Sequence, residues 1–196
     1  MSDSSKRPGA FRVLPWLMIV AGVCAYHNSF HGPFIFDDLP TIVNNPHLRR
    51  LWPLSQTLIA PPQGGLTGRP VVSLSLALNY AFGALNVPGY HAVNLAIHLA
   101  AGLVLFGLVR RTLLTSSLRT RYGSAAPWLA LASALLWVVH PLQTESVTYI
   151  IQRSESLMGL WYLLTLYCVA RADASPQAGG RWTALAILSC ALGMGS

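Results

Sequence analysis

Two adjacent carboxylates, Asp37 and Asp38, are the residues of this chain best suited to chemistry. Only 6 of the 196 residues are acidic, and two of these six are neighbours. Like charges side by side are unfavourable unless something nearby uses them. A carboxylate can serve as a general base that removes a proton from an acceptor hydroxyl. The pair therefore indicates a candidate site, although it could instead form a turn that caps a short helix.

The composition places this pair in a membrane protein. Hydrophobic residues make up 53% of the chain and charged residues 10%, whereas soluble domains carry about 25% charged residues. The net charge of +7 comes from scattered arginines and a single lysine rather than from a long basic run. We therefore expect no nucleic-acid partner, and we attribute the basic excess to loop charges that set the orientation in a lipid bilayer.

The apolar stretches predict an all-α, polytopic membrane helical bundle. Residues 11–30 are long enough to cross a bilayer as a helix, and we expect a retained signal anchor rather than a cleaved signal peptide. The segment 89–196 is predicted to hold four further membrane helices, at residues 90–109, 126–139, 156–170 and 182–194. The last one stops with the chain, which predicts that the protein continues beyond Ser196.

The segment 31–88 has a different character from the apolar stretches around it. It holds eight of the thirteen prolines and has no long apolar window free of helix breakers. We predict one long extracytoplasmic, catalytic loop with short surface helices, the strongest of them over residues 71–85. A loop of this length without regular strands is usually functional. Residues 1–10 are predicted to form a cytoplasmic tail.

The basic residues favour an orientation with the N-terminus in the cytoplasm. In that orientation nine of the thirteen basic residues fall on the inner side, as the positive-inside rule requires. The outer side then holds four arginines and four acidic residues, namely Arg49, Arg50, Arg69, Arg153, Asp37, Asp38, Glu145 and Glu155. Arginine presents a fixed fork of donors that can hold a phosphate. The combination suits group transfer from a phosphate-linked donor, and a lipid-linked donor would explain a site at a membrane surface.

Three groups of polar residues have possible roles in a site and also simpler explanations. His91 and His98 share one helix face and could be ligand or metal contacts, or structural residues that face the bundle. The His140-Pro141 pair could merely end a helix. Glu145 and Arg153 could form a solvated ion pair, which would contribute little.

Four ordered blocks of sequence resemble one family of enzymes. The segment FIFDDLPTIVNNP at residues 34–46 is similar to the first-loop segment of the transmembrane and tetratricopeptide-repeat O-mannosyltransferases and their bacterial relatives. The later blocks resemble that family in the same order, at residues 68–71 with 78–80, 89–94 with His98, and 140–145 with 152–155. Together the blocks cover roughly residues 34–158.

The resemblance implies a GT-C glycosyltransferase, a polytopic helical enzyme whose site faces the lumen or the periplasm. Such an enzyme transfers a sugar, mannose or a similar hexose, from a polyprenyl- or dolichyl-phosphate donor to a protein Ser/Thr hydroxyl or another acceptor. The transfer inverts the anomeric centre. The expected location is the bacterial inner membrane or the endoplasmic reticulum membrane, and the use of a divalent metal is left open.

The same resemblance implies roles for individual residues. One carboxylate of the pair would deprotonate the acceptor while the other positions the acceptor or a metal, and we favour Asp38 as the base. Arg69 and Arg153 are the candidates for binding the donor phosphate. The second-tier site residues are His91, His140, Glu145 and Glu155. One alternative hypothesis is a non-enzymatic membrane protein, either an assembly scaffold or a transporter module with His98 in its transport pathway. The other is an inactive fragment of the transferase.

Overall fold

The computed structural model describes residues 10–58, 65–175 and 177–196. Within these ranges the chain forms helices and no strand, which confirms the all-α prediction. The α-helices are α1 (Ala10–Tyr26), α2 (Leu54–Leu58), α3 (Pro70–Gly83), α4 (Val87–Leu113), α5 (Ser116–Tyr122), α6 (Ala126–Val138), α7 (Thr144–Thr148), α8 (Arg153–Asp173) and α9 (Gly179–Met194). Residues 1–9 of the predicted tail and residues 59–64 of the predicted loop lie outside the described part.

Each predicted membrane helix coincides with one helix of the structure. Two described segments, Val13–His31 and Val87–Leu113, are long and apolar enough to cross a membrane. A third span exists if α6 and the segment Pro141–Thr148, which are bent by 52° against each other, form one unit. The crossings by α8 and α9 stay predictions. Helix α4 extends to Leu113, beyond the predicted end at residue 109, because the cations Arg110 and Arg111 are favourable in the last turn of a helix.

The segment between α1 and α4 contains the short helices that the sequence predicts. A π-helical turn at Leu39–Val43 and a 3-10 turn at Pro46–Leu48 precede α2 and α3. The predicted helix at residues 71–85 is α3, which begins at Pro70, where a missing N–H costs nothing. Its Leu76 is fully buried in a core shared with residues from the loop and from the start of α8. Helix α3 therefore packs on the bundle.

Helices α1, α4 and α6 pack closely against one another around a separate apolar core. Met18 of α1 and Val138 of α6 are both completely buried in it. A Cβ atom at Gly102 of α4 would lie 2.4 Å from the Val138 side chain, and one at Gly22 of α1 would lie 2.5 Å from that of Leu99. Glycine at these two positions therefore allows the close backbone approach that is typical of helices packed in membranes.

The last turn of α6 has a carbonyl that needs partners from other helices. Pro141 follows shortly after and has no N–H to give, so the Val138 carbonyl oxygen turns to side chains. The Tyr26 hydroxyl donates to it at 3.0 Å and the His98 Nε2 donates at 2.9 Å. His98 also stacks on Trp137, with ring centroids 4.7 Å apart. This packing gives His98 a structural role and offers no support for the transport alternative.

We expect the two donors to the Val138 carbonyl to be coupled. Tyr26→Phe removes one bond and should cost about 1 kcal/mol of unfolding free energy, and His98→Ala should cost about 2–3 kcal/mol because it also leaves a cavity. The double variant should lose more than the sum, since only then is the buried carbonyl unsatisfied. Unfolding titrations of the purified protein in detergent measure the three values. Strict additivity would show that the two donors do not share this carbonyl.

Candidate functional site

A strained turn presents the two aspartates in different directions. The Asp38 N–H donates to the Ile35 carbonyl oxygen at 2.9 Å, which closes a four-residue turn. Phe36 adopts a φ of 42°, in the left-handed region that a bulky residue rarely occupies. Its ring is 79% exposed. This turn lets two consecutive carboxylates enter different environments.

The Asp38 carboxylate is buried and joins two loops through hydrogen bonds. It is 1% exposed, and it accepts the Ile35 N–H on one oxygen at 3.2 Å and the Ile151 N–H on the other at 2.9 Å. Burial raises the pKa of Asp38, while these two bonds and the nearby His91 oppose the rise. With both oxygens occupied and no exposure, Asp38 is poorly placed to reach an acceptor hydroxyl. The geometry thus speaks against the assignment of Asp38 as the base.

Asp37 faces solvent and is held only through its backbone. Its side chain is exposed, and its N–H donates to the Tyr149 hydroxyl oxygen at 3.0 Å. Partial burial raises the pKa of Tyr149, and the carboxylates of Asp37, Asp38 and Glu145 add to the rise. Tyr149 therefore keeps its proton at neutral pH. This hydroxyl fixes the Asp37 backbone and leaves the carboxylate free.

A groove of about 520 Å³ opens beside this turn. Ile35 and Phe36 line one side, and Leu142, Glu145 and Tyr149 line the other. The Leu142 side chain is 81% exposed, so the groove offers apolar surface next to acidic groups. Asp37 follows Phe36 directly in the chain and is tied to Tyr149. Asp37 therefore adjoins the groove through its neighbours, and it is not itself one of the lining residues.

The four second-tier residues occupy different positions around the site. Glu145 lines the groove, and His140 is exposed nearby, where its Nδ1 accepts the Leu142 N–H at 3.2 Å. His91 is buried, with its Nε2 3.1 Å from the Gly32 carbonyl oxygen, and supports the loop from below. Glu155 is exposed in the first turn of α8, where a negative charge is favourable. Of the four, only Glu145 lines the groove, and His140 directly precedes the lining residue Pro141.

Arg153 is a structural hub and does not face the groove. It is completely buried. Its Nε donates to the Asn94 Oδ1 at 2.7 Å, its Nη1 to the Ser75 carbonyl at 3.2 Å and its Nη2 to the Tyr90 carbonyl at 3.1 Å. The guanidinium thus joins α3, α4 and α8 and is not placed to receive a donor phosphate. Because the Arg153 guanidinium is buried, it does not form a solvated ion pair with the exposed Glu145.

Arg69 remains available for a phosphate. It is exposed at the start of α3, and its Nη1 donates to the Ser154 hydroxyl oxygen at 3.0 Å. A second outer arginine, Arg49, lies with its guanidinium 4.3 Å from the centre of the Tyr80 ring and donates to the Val43 carbonyl. Two of the four arginines that are predicted to lie on the outer side are therefore committed to packing, which counting charges could not reveal.

Two features of the site were not singled out from the sequence. Tyr149 lies between two blocks that resemble the family, and its position there was the available signal. The left-handed conformation of Phe36 has no sequence signal, because aromatic residues rarely adopt it. For metal binding, no group of three His, Cys, Asp or Glu side chains comes together among the residues that the structure describes.

Comparison with known proteins identifies relatives that are protein O-mannosyl-transferases. The chain is 30% identical to protein O-mannosyl-transferase TMTC4 of Homo sapiens over 92% of its length, which is 27% of that protein. It is 29% identical to protein O-mannosyl-transferase Tmtc3 of Drosophila melanogaster over 87% of its length, 20% of that protein. It is 32% identical to protein O-mannosyl-transferase tmtc2 of Xenopus laevis over 75% of its length, 17% of that protein.

The extent of these matches defines what they show. No protein-family model matches the chain, and no solved structure matches it either. The chain spans about a quarter or less of the length of these curated relatives. The similarity nevertheless extends over most of the chain. The chain belongs to the family of the TMTC protein O-mannosyl-transferases.

Proposed function

We propose that this chain supplies the acceptor-activating part of a membrane glycosyltransferase of the GT-C type. The enzyme transfers mannose or a similar hexose from a polyprenyl- or dolichyl-phosphate donor to a protein Ser/Thr hydroxyl. The observation that carries this proposal is the division of roles within the acidic pair. Asp38 is buried and holds the loop, whereas Asp37 is exposed and adjoins a groove. The names of the relatives support the sugar and the protein acceptor.

In the proposed reaction Asp37 acts as the general base. Its carboxylate takes the proton of the acceptor hydroxyl while the hydroxyl oxygen attacks the anomeric carbon of the donor sugar. The bond between that carbon and the donor phosphate oxygen breaks, and the phosphate leaves with the bonding electrons. A single displacement of this kind inverts the anomeric centre. Arg69 neutralises the charge on the departing phosphate.

The groove is proposed to hold the acceptor segment. Phe36 and Leu142 are exposed on its two sides and offer apolar contact to a polypeptide. Glu145 lies within it and can accept hydrogen bonds from backbone N–H groups of the acceptor. Asp37 beside it would then meet a Ser or Thr hydroxyl. This arrangement requires the groove on the extracytoplasmic side, with the N-terminus in the cytoplasm.

The donor class can be tested directly. Membranes that contain the protein are supplied with radiolabelled polyprenyl-phosphate mannose or with the nucleotide-linked sugar, together with a Ser/Thr-rich acceptor peptide. We expect label in the peptide from the lipid-linked donor alone, because the proposed site lies at a membrane surface on the side opposite the cytoplasm. Membranes without the protein provide the background. The formation of polyprenyl-phosphate mannose from the nucleotide-linked sugar is blocked in this experiment. Equal labelling from the nucleotide-linked sugar under this block would contradict the proposal.

A further inference from the structure

We propose that a basic cavity at the far end of α4 and α8 binds a phosphate-bearing anion, such as the headgroup of an anionic phospholipid. The cavity has a volume of about 360 Å³. Three arginines line it, Arg110 and Arg111 from α4 and Arg171 from α8. The proposal does not depend on the transfer reaction, since none of these residues belongs to the candidate site.

The position of the cavity follows from the course of two helices. Both α4 and α8 begin beside the candidate site, where Arg153 donates to the Tyr90 carbonyl. The eighteen residues from Arg153 to Arg171 rise by about 27 Å at 1.5 Å per residue. This is close to the ~30 Å thickness of the hydrocarbon core of a bilayer. With α8 spanning the bilayer as predicted, the cavity lies at the level of the headgroups of the leaflet opposite to the candidate site.

The charge of the cavity exceeds what helix termini require. Cations are favourable in the last turn of any helix, and the Arg111 Nε accordingly donates to the Ala170 carbonyl oxygen at 3.3 Å. Arg171 packs with its guanidinium 4.4 Å from the centre of the Trp182 ring, and its Nε is buried without a hydrogen-bond partner among the described residues. Asp173 is the one acidic residue in the lining. A bound phosphate would offset the remaining positive charge of these arginines.

The wall of the cavity suits a lipid as well as a small anion. Tyr167 lines it from α8, and Gly107 lines it from α4. A Cβ atom at Gly107 would lie 3.1 Å from the Tyr167 ring, so the glycine leaves room for the ring at this face. An aromatic surface below three arginines matches an amphipathic ligand with a phosphate headgroup and an adjoining hydrocarbon chain.

Native mass spectrometry of the purified chain in neutral detergent tests the proposal. Dioleoylphosphatidic acid is titrated onto the protein, with dioleoylphosphatidylcholine as the neutral lipid and inorganic phosphate as a competitor. The test variant is Arg110→Gln/Arg171→Gln. Arg119→Gln/Arg121→Gln is the matched control, because this double substitution removes the same charge. Both arginines are exposed on α5 and do not line the cavity. Arg110→Gln alone, at an exposed position, serves if the double variant does not fold.

The expected results separate a site from general surface charge. Each arginine near a headgroup contributes a factor of about five in affinity, so the test variant should lose about 25-fold and Arg110→Gln about fivefold. The control pair should change affinity less than about twofold. Competition by inorganic phosphate would identify the phosphate alone as the ligand, and its absence would identify the lipid headgroup. Equal losses in the test and control pairs, or equal binding of phosphatidylcholine, would overturn the proposal.

Discussion

Replacing Arg153 with methionine is expected to destabilise the protein by about 3–5 kcal/mol, a large part of the 5–15 kcal/mol that holds a typical domain together. The methionine fills much of the volume but gives no hydrogen bonds. The Ser75 and Tyr90 carbonyls and the Asn94 Oδ1 would all lose their donor in a buried place. The loss would also affect the position of the Asn94 side chain, whose Nδ2 donates to the Ile150 carbonyl oxygen at 3.2 Å. The junction of α3, α4 and α8 should therefore open.

The yield of monodisperse protein in detergent and its unfolding midpoint measure this effect. Arg50→Met is the matched control, because it removes the same charge from an exposed arginine in the segment between α1 and α4. Arg153→Lys should be intermediate, since one ammonium group cannot reach three acceptors in the fixed directions of a guanidinium. A stable Arg153→Met protein that behaves like Arg50→Met would refute the role of Arg153 as a hub.

Replacing Asp37 with asparagine is expected to lower the rate of sugar transfer by about 10²–10⁴-fold, the usual contribution of a general base. An amide of the same shape cannot take the acceptor proton. Stability should hardly change, because the Asp37 side chain is exposed and the Tyr149 hydroxyl binds only its backbone N–H. The fall should appear in kcat more than in KM, since the interaction is realised in the transition state.

A variant that keeps the carboxylate but changes its position provides a control for Asp37→Asn. Asp37→Glu keeps a carboxylate on a longer side chain that is free to move in solvent, so it should recover part of the lost rate. Wild-type activity in Asp37→Asn, with the same folded amount of protein, would remove Asp37 from the mechanism. Equal losses in Asp37→Asn and Asp37→Glu would point to a steric role instead of proton transfer.

The helices and the adjacent acidic pair could be predicted from the sequence because both depend on local patterns. Apolar length alone defines α1, α4 and α6, and the break at Pro141 follows from its missing N–H. The fate of each carboxylate depends on distant contacts. The Asp38 side chain is buried because the Ile151 N–H, 113 residues later in the chain, meets it. The side chain of Asp37 is free because Phe36 adopts a φ of 42°.

Arg153 shows the limit of charge counting in the same way. An arginine close to a helix end normally extends to the membrane surface, and two arginines on one side suggest a shared anion. Here the three acceptors around Arg153 come from residues of α3 and α4 that are 59 to 78 positions away. No local pattern contains that information. The structure therefore leaves Arg69 as the one of the two predicted phosphate ligands with an exposed guanidinium.

In the proposed division of roles, Asp37 is the base and Asp38 holds the loop through its hydrogen bonds. The most direct test measures mannose transfer from a polyprenyl-phosphate donor by Asp37→Asn and Asp38→Asn, normalised to the amount of folded protein. We predict a loss of at least about 100-fold in Asp37→Asn. In Asp38→Asn we predict near-normal transfer with a stability lower by about 1–2 kcal/mol, because the amide presents its own N–H groups to the Ile35 N–H. Full transfer by Asp37→Asn together with a complete loss in stably folded Asp38→Asn would contradict the assignment.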